Sequence, residues 1–238
     1  MKRRTFVLTA AALLLASRLD AGATLRWQEL ARQDGKPVQT TAVAYSGEAG
    51  LRVDVSGGSP ASPTKLTLLY RSATGTLQIR DGEKPWTTIT PELLERARST
   101  NKSAPEAEVT VTPTNTRHSF AGFPCRGFQL RQRGLPSRLV CLATPADLGL
   151  DEVTVKNFRA FSRILAAFLK ASGDGADSKG QDAHITFNTY DLPGGFPIRE
   201  WESRGGEPWT DSQVVEITPG EPEASLFAEK TLRLPPPR

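Results

Sequence analysis

Short runs of alternating apolar and polar residues recur along the chain and indicate half-buried β-strands. They fall at 51–56, 66–70, 77–80, 86–89, 109–111, 125–131, 138–141, 185–188, 198–201 and 214–217. Turn-forming residues such as Ser72-Ala73-Thr74-Gly75 separate them. About nine strands joined by short connections predict one antiparallel sheet or barrel.

Two segments follow a helical period instead. Residues 91–98 predict a short helix, with Thr90 as its N-cap and Pro91 in its first turn. Residues 152–170 predict a long helix capped by Asp151. One face of the long helix carries an apolar stripe: Phe158, Phe161, Leu165 and Phe168. This stripe either belongs to a closed core or lines a ligand cavity on the concave side of the sheet. The fold class predicted is therefore α+β, with the sheet covered by one long and one short helix.

The N-terminus has the three parts of a secretory signal peptide. Lys2, Arg3 and Arg4 precede an apolar run at 6–16, and Ala21-Gly22-Ala23 supplies small residues for cleavage. We therefore expect residues 1–23 to be removed and the exported chain to start at Thr24. The pair Arg3-Arg4 followed by Thr5-Phe6 also resembles a twin-arginine signal, so the export route stays open between this and the general secretory route.

Removing the signal peptide changes the charge argument. The full chain has 30 Lys and Arg residues and 26 Asp and Glu residues, a net charge of +4. Residues 1–23 hold four of the basic residues and one of the acidic residues, so the mature chain has a net charge of +1. No dense basic cluster remains, so we expect no nucleic-acid partner. We expect a lead-in at 24–36, a single domain at 37–232 and a Pro-rich tail at 233–238, with no transmembrane segment in the mature chain.

Cys125 and Cys141 are the only cysteines, and two lone cysteines in an oxidising compartment usually pair. They flank a turn signal at 134–137, which predicts a β-hairpin. If the hairpin centre falls near Arg133, the two cysteines lie directly opposite one another, at a separation that suits a disulfide.

The sequence contains no recognisable catalytic motif. His118 and His184 are the only histidines, and no nucleophile elbow or zinc-binding spacing accompanies them. Asp174, Asp177 and Asp182 do not have the spacing of a calcium loop. We therefore expect no enzyme activity, no metal and no cofactor.

Several segments resemble a known family. They include 51–54, 68–70, 77–79, 84–87, the segment Ala121-Gly122-Phe123-Pro124-Cys125-Arg126, Cys141, 148–150, Gly194-Gly195-Phe196-Pro197-Ile198 and 224–227. In these the chain resembles an exported bacterial family, domain-of-unknown-function family 4412, which is similar in outline to the LolA/LolB lipoprotein carriers. The resemblance implies an antiparallel sheet curved into a half-open barrel with helices as its lid. It transfers no ligand and no site residue to this chain.

These observations predict a non-enzymatic periplasmic protein. It would bind a hydrophobic ligand such as a lipid or acyl chain, or an exported protein partner, in or around a half-barrel. The alternative is a structural or interaction module of the cell envelope whose barrel interior is filled. An open apolar cavity distinguishes the first from the second.

Overall fold

The computed structural model describes residues 21–33, 36–59, 62–100, 109–132, 137–171, 189–192, 195–204 and 207–228. Its strands are β1 (Gly22–Gln33), β2 (Lys36–Gly47), β3 (Gly50–Ser59), β4 (Ser62–Arg71), β5 (Thr76–Asp81), β6 (Thr87–Ile89), β7 (Val109–Phe120), β8 (Phe123–Gln132), β9 (Arg138–Ala143), β10 (Phe196–Arg204) and β11 (Glu207–Pro219). The helices are α1 (Pro91–Thr100) and α2 (Glu152–Ala171).

All eleven described strands join one antiparallel sheet in the order β6-β5-β4-β3-β2-β1-β11-β10-β9-β8-β7. Consecutive strands are neighbours, except for β6 and β7. At the centre of the sheet the first strand, β1, pairs with the last, β11, and so brings the two ends of the domain together. Strands β6 and β7 lie at opposite ends of this order, so the sheet is not closed. The predicted α+β class with an antiparallel sheet and one long helix is confirmed.

Strands β1 and β2 were not expected from the sequence, which gave 24–36 as a lead-in. In β2 the side chains that face α2 are small or polar, namely Thr40, Ala42, Ala44 and Ser46, while Val43 lies on the other face. In β1 the exposed Leu30 follows the inward-facing Glu29. Hydrophobic alternation therefore does not mark β2, and in β1 it covers only Ala23, Leu25 and Trp27 before Glu29 interrupts it. The predicted strand at 185–188 and the tail at 233–238 lie outside the described residues.

Both predicted helix starts are confirmed. The backbone N–H of Leu93 donates to Thr90 Oγ1 at 3.3 Å, and that of Thr154 donates to Asp151 Oδ1 at 2.8 Å. Each side chain thus satisfies one amide that the first helical turn leaves without a partner.

Asn157 joins α2 to the turn between β2 and β3. Its Nδ2 donates to the carbonyl oxygens of Gly47 at 2.7 Å and Gly50 at 3.0 Å, and it lies 3.2 Å from Ser46 Oγ. The side chain is 3% exposed, so these hydrogen bonds form away from water. Gly50 has a φ of 140°, and a Cβ there would meet the Tyr70 carbonyl oxygen, so the turn requires glycine at this position.

The disulfide between Cys125 and Cys141 is present, with a Cα–Cα distance of 5.6 Å. The expected register is wrong by two residues, because Gly127 and not Cys125 lies opposite Cys141. The bond therefore joins a diagonal pair of positions across β8 and β9. On its other side β8 pairs with β7, where Cys125 lies opposite His118.

The core has two parts. The larger lies between α2 and the sheet and includes Leu25, Leu51, Leu77, Phe158 and Ile198. The smaller consists of Leu130, Val140 and Leu142, with Val109, Val111, Phe128 and Leu192 against it.

Candidate binding cavity beneath the long helix

A half-enclosed cavity of about 200 Å³ lies between α2 and the middle of the sheet. Strands β1, β2, β3, β10 and β11, the helix α2 and the 3-10 helix Thr189–Asp191 all contribute to its wall. The lining residues are Trp27, Glu29, Thr40, Ala42, Ala44, Val53, Val55, Phe158, Phe161, Tyr190, Pro197, Ile198, Arg199, Glu200 and Ser212.

The small side chains of β2 leave room for this cavity. Ala42 lies between Trp27 on β1 and Val55 on β3, and Ala44 lies between Leu25 and Val53. An alanine in each place leaves space above the sheet that the neighbouring larger side chains do not fill. The weak hydrophobic pattern of β2 and the cavity therefore have one cause.

Aromatic rings form one side of the cavity around Phe158. The centroid of its ring lies 5.6 Å from Trp27, 5.3 Å from Tyr190 and 5.2 Å from Phe196. These separations are typical of favourable aromatic pairs. Phe158 is 3% exposed, so it is both part of the core and part of the cavity wall.

The sheet also contributes a row of polar residues to the cavity wall, across four strands. Glu200 on β10 opposes Ser212 on β11, Ser212 opposes Glu29 on β1, and Glu29 opposes Thr40 on β2. Thr189 donates a hydrogen bond from its hydroxyl to Glu200 Oε1 at 2.5 Å. The cavity wall thus combines apolar and aromatic residues with two acidic ones.

Burial is the main cause that raises the pKa of the Glu200 carboxyl above its ordinary value. The negative charge of Glu29 acts in the same direction, whereas the Thr189 hydrogen bond and the charge of Arg138 oppose it. Burial, together with the charge of Glu200, also raises the pKa of Tyr190, which keeps this phenol neutral.

The basic side chains closest to this row are already paired. Arg199 donates to both carboxylate oxygens of Asp211, at 2.8 and 2.6 Å, and its guanidinium lies over the rings of Phe120 and Trp201. Arg138 and Glu202 form a buried ion pair at 3.6 Å.

The predicted stripe on α2 divides into two parts. Phe158 and Phe161 line the cavity, whereas Leu165 and Phe168 are half-buried against the larger core and are not part of the cavity wall. The wall also contains Trp27, Glu29, Tyr190 and Glu200, which sequence reasoning did not single out. For Glu29 and Glu200 the only signal is a polar residue at an inward-facing strand position, which becomes visible once the register is known.

Of the residues considered for catalysis or metal binding, only His118 is described, and it does not line the cavity. His118 is on β7, where its ring stacks on Phe120 at 5.6 Å and its Nε2 lies 3.1 Å from Thr116 Oγ1. His184 and the aspartates 174, 177 and 182 lie outside the described residues. Among the residues that are described, no group of three or more His, Cys, Asp or Glu could hold a metal ion.

The fold and cavity define a class of α+β protein in which a long helix covers part of an open antiparallel sheet. No protein-family model matches the chain, and no curated protein matches it. In the described part of the chain, neither helix has the length and apolarity that a membrane crossing requires.

Solved structures of MucB are similar to this chain at low identity. The crystal structure of MucB in complex with MucA(peri) is 9% identical, with a TM-score of 0.37, and the match covers 88% of this chain and 54% of that one. The crystal structure of MucB is 9% identical, with a TM-score of 0.36, and the match covers 90% of this chain and 58% of that one. The Pseudomonas aeruginosa MucA/MucB complex is 8% identical, with a TM-score of 0.36, and the match covers 87% of this chain and 56% of that one. The chain thus spans little more than half the length of these proteins, and the likeness carries no argument about function.

Proposed function

We propose that this is an exported, non-enzymatic binding protein of the bacterial periplasm that holds an apolar group in the cavity beneath α2. The observation that carries the proposal is the cavity itself. Its wall is built from Trp27, Ala42, Val53, Val55 and Phe161, and no side chain of the described residues fills it. Concave, mostly apolar pockets with a few polar groups are the usual form of small-molecule sites.

The size of the cavity limits what it holds. Ligand pockets usually measure roughly 300–1,000 Å³, and this one measures about 200 Å³. The occupant is therefore small, or is the apolar end of a larger molecule such as an acyl chain. In this proposal the open sheet curves into a half-barrel around the cavity, with α2 as its lid.

Two features support export. The first is the signal-like sequence of residues 1–23, which lies largely outside the described residues. The second is the Cys125–Cys141 disulfide, since such bonds persist in oxidising compartments.

A structural or interaction module with a filled interior is the second candidate. The burial of Phe158 and Phe161, at 3% and 9% exposure, favours it, because both rings are packed as core residues are. In that case the protein would act through its surface on an exported partner.

Native mass spectrometry of the protein purified from the periplasm distinguishes the two candidates. We expect a bound small molecule on the wild type and its loss in Ala42→Leu, because the larger side chain occupies the cavity. The control is Val43→Leu, on the opposite face of the same strand. A wild-type protein without any bound molecule, and with no uptake of a hydrophobic dye, would contradict the binding function and favour the structural module.

A further inference from the structure

We infer that the occupant of the cavity is a small organic ammonium ion with a hydrophobic body. This inference rests on the proposed function and adds the chemical class of the ligand. It follows from the placement of aromatic rings, carboxylates and paired arginines around one space.

The aromatic side of the cavity suits a cation. Trp27, Phe158 and Tyr190 contribute to the wall, and the centroids of Trp27 and Tyr190 both lie within 5.6 Å of that of Phe158. An ammonium group within about 6 Å of an aromatic face is attracted by the ring quadrupole, most strongly by Trp. Clustered rings of this kind also receive the apolar part of such a ligand.

The acidic residues of the wall supply the opposite charge. Among the described residues, Glu29 has no hydrogen-bond or ion-pair partner, and Glu200 has only the hydroxyl of Thr189. The two glutamates lie on strands separated by β11, with Ser212 between them. Adjacent strands are about 4.8 Å apart, which places their Cα atoms roughly 10 Å apart and leaves room for an ammonium group above Ser212.

No basic side chain competes for this position in the described part of the chain. Arg199 is held by Asp211 through two hydrogen bonds, and Arg138 pairs with Glu202. On α2, Arg159 donates to the Tyr190 carbonyl oxygen and Arg163 pairs with Asp191, and neither arginine lines the cavity. Glu29 and Glu200 are therefore the acidic groups of the wall that no described ion pair neutralises, and a bound ammonium favours the ionised form of Glu200 against the burial that raises its pKa. This arrangement favours a cation and disfavours the carboxylate of a fatty acid.

The test is a calorimetric titration with three probes that share a phenyl ring and a two-carbon spacer. They are 2-phenylethylammonium, the neutral 2-phenylethanol and the anionic 3-phenylpropanoate. We expect the ammonium to bind at least tenfold more tightly than the alcohol at neutral pH, and the anion to bind more weakly than either.

Variants test whether the two glutamates cause the preference for the ammonium over the alcohol. Glu29→Gln and Glu200→Gln should each reduce the preference for the ammonium, and the double variant should abolish it while 2-phenylethanol still binds. The control is Glu216→Gln, because Glu216 is exposed, is paired with Arg26 and does not line the cavity. Circular dichroism checks that each variant is folded, and Glu29→Gln carries the test if Glu200→Gln does not fold.

The outcomes separate this inference from the proposed function. Binding of the alcohol or the anion as tight as that of the ammonium would overturn the inference and leave the binding function intact. An unchanged preference in Glu29→Gln would also overturn it. Failure of all three probes to bind would contradict the proposed function itself.

Discussion

At the scale of single residues, Phe158 is where α2, the sheet and the 3-10 helix meet. Its ring contacts Trp27, Tyr190 and Phe196, while Phe161 has the cavity on one side. Replacing a packed ring with alanine leaves a void, and the loss of stability depends on how completely the ring was surrounded. We expect Phe158→Ala to lower the free energy of unfolding by about 3–5 kcal/mol and Phe161→Ala to lower it by less.

Urea unfolding of both variants measures the difference. Equal losses for Phe158→Ala and Phe161→Ala would mean that the space beneath α2 is closed in solution.

Glu200 predicts a pH dependence of stability. Because its pKa is raised in the folded protein, mainly by burial, its protonated form is favoured there. Its contribution to stability is then fully present below the unfolded pKa of about 4.3. It is lost as the pH rises through the folded pKa. Glu200→Gln keeps an acceptor for Thr189 and removes this loss, so we expect the variant to be more stable than the wild type at pH 7 and closer to it at pH 4.

Thermal unfolding of Glu200→Gln at several pH values, beside the control Glu216→Gln, tests this. A stability difference that does not change between pH 4 and pH 7 would contradict the assignment.

Residues whose role is local were predictable from the sequence. Thr90 and Asp151 act as N-caps because their side chains reach amides only three residues away. The environment of Glu200 was not predictable, since it depends on Glu29, which is distant in sequence and comes near only through β11.

At the scale of elements, the position of α2 depends on Asn157 as well as on its apolar stripe. Replacing Asn157 with Ala leaves the carbonyl oxygens of Gly47 and Gly50 without these donors in a buried place. Unsatisfied buried groups cost about 1–3 kcal/mol each, so we expect Asn157→Ala to destabilise the protein by at least about 2 kcal/mol.

The matched control is Lys156→Ala, because Lys156 is exposed on the same turn of α2. Denaturant unfolding should show an effect of less than about 0.5 kcal/mol for the control. A similar small effect for Asn157→Ala would show that the apolar stripe alone positions the helix.

The β8–β9 hairpin depends on its disulfide, which closes a loop with a sequence separation of 16 residues. Loops of about this length contribute roughly 3 kcal/mol through the unfolded chain. We expect dithiothreitol to lower the free energy of unfolding by that amount in the wild type and to have no effect on a Cys125→Ala/Cys141→Ala variant. Equal stability of oxidised and reduced wild type would contradict the expectation.

These elements were not equally predictable from the sequence. Alternation predicted strands such as β3 and β5, because their inward positions carry large apolar residues. It missed β2, whose inward residues are small, and it placed the cysteines directly opposite one another, because turn residues alone do not fix the register of a hairpin.

At the scale of the whole molecule, the open antiparallel sheet followed from many short strands with short connections. The cavity could not be predicted in this way, because its wall comes from five strands and two helical segments that are far apart in the sequence. Its acidic row appears only when β10, β11 and β1 are placed side by side. The proposed binding function requires that this space is open to a ligand in solution.

Methyl-resolved nuclear magnetic resonance during a titration with 2-phenylethanol tests that claim most directly. We expect shifts at the methyl groups of Ala42, Ala44, Val53 and Val55, which line the cavity. We expect no change at the exposed Leu30 and Leu93. Unchanged cavity methyl groups at a saturating probe concentration, or shifts confined to the surface leucines, would contradict the claim.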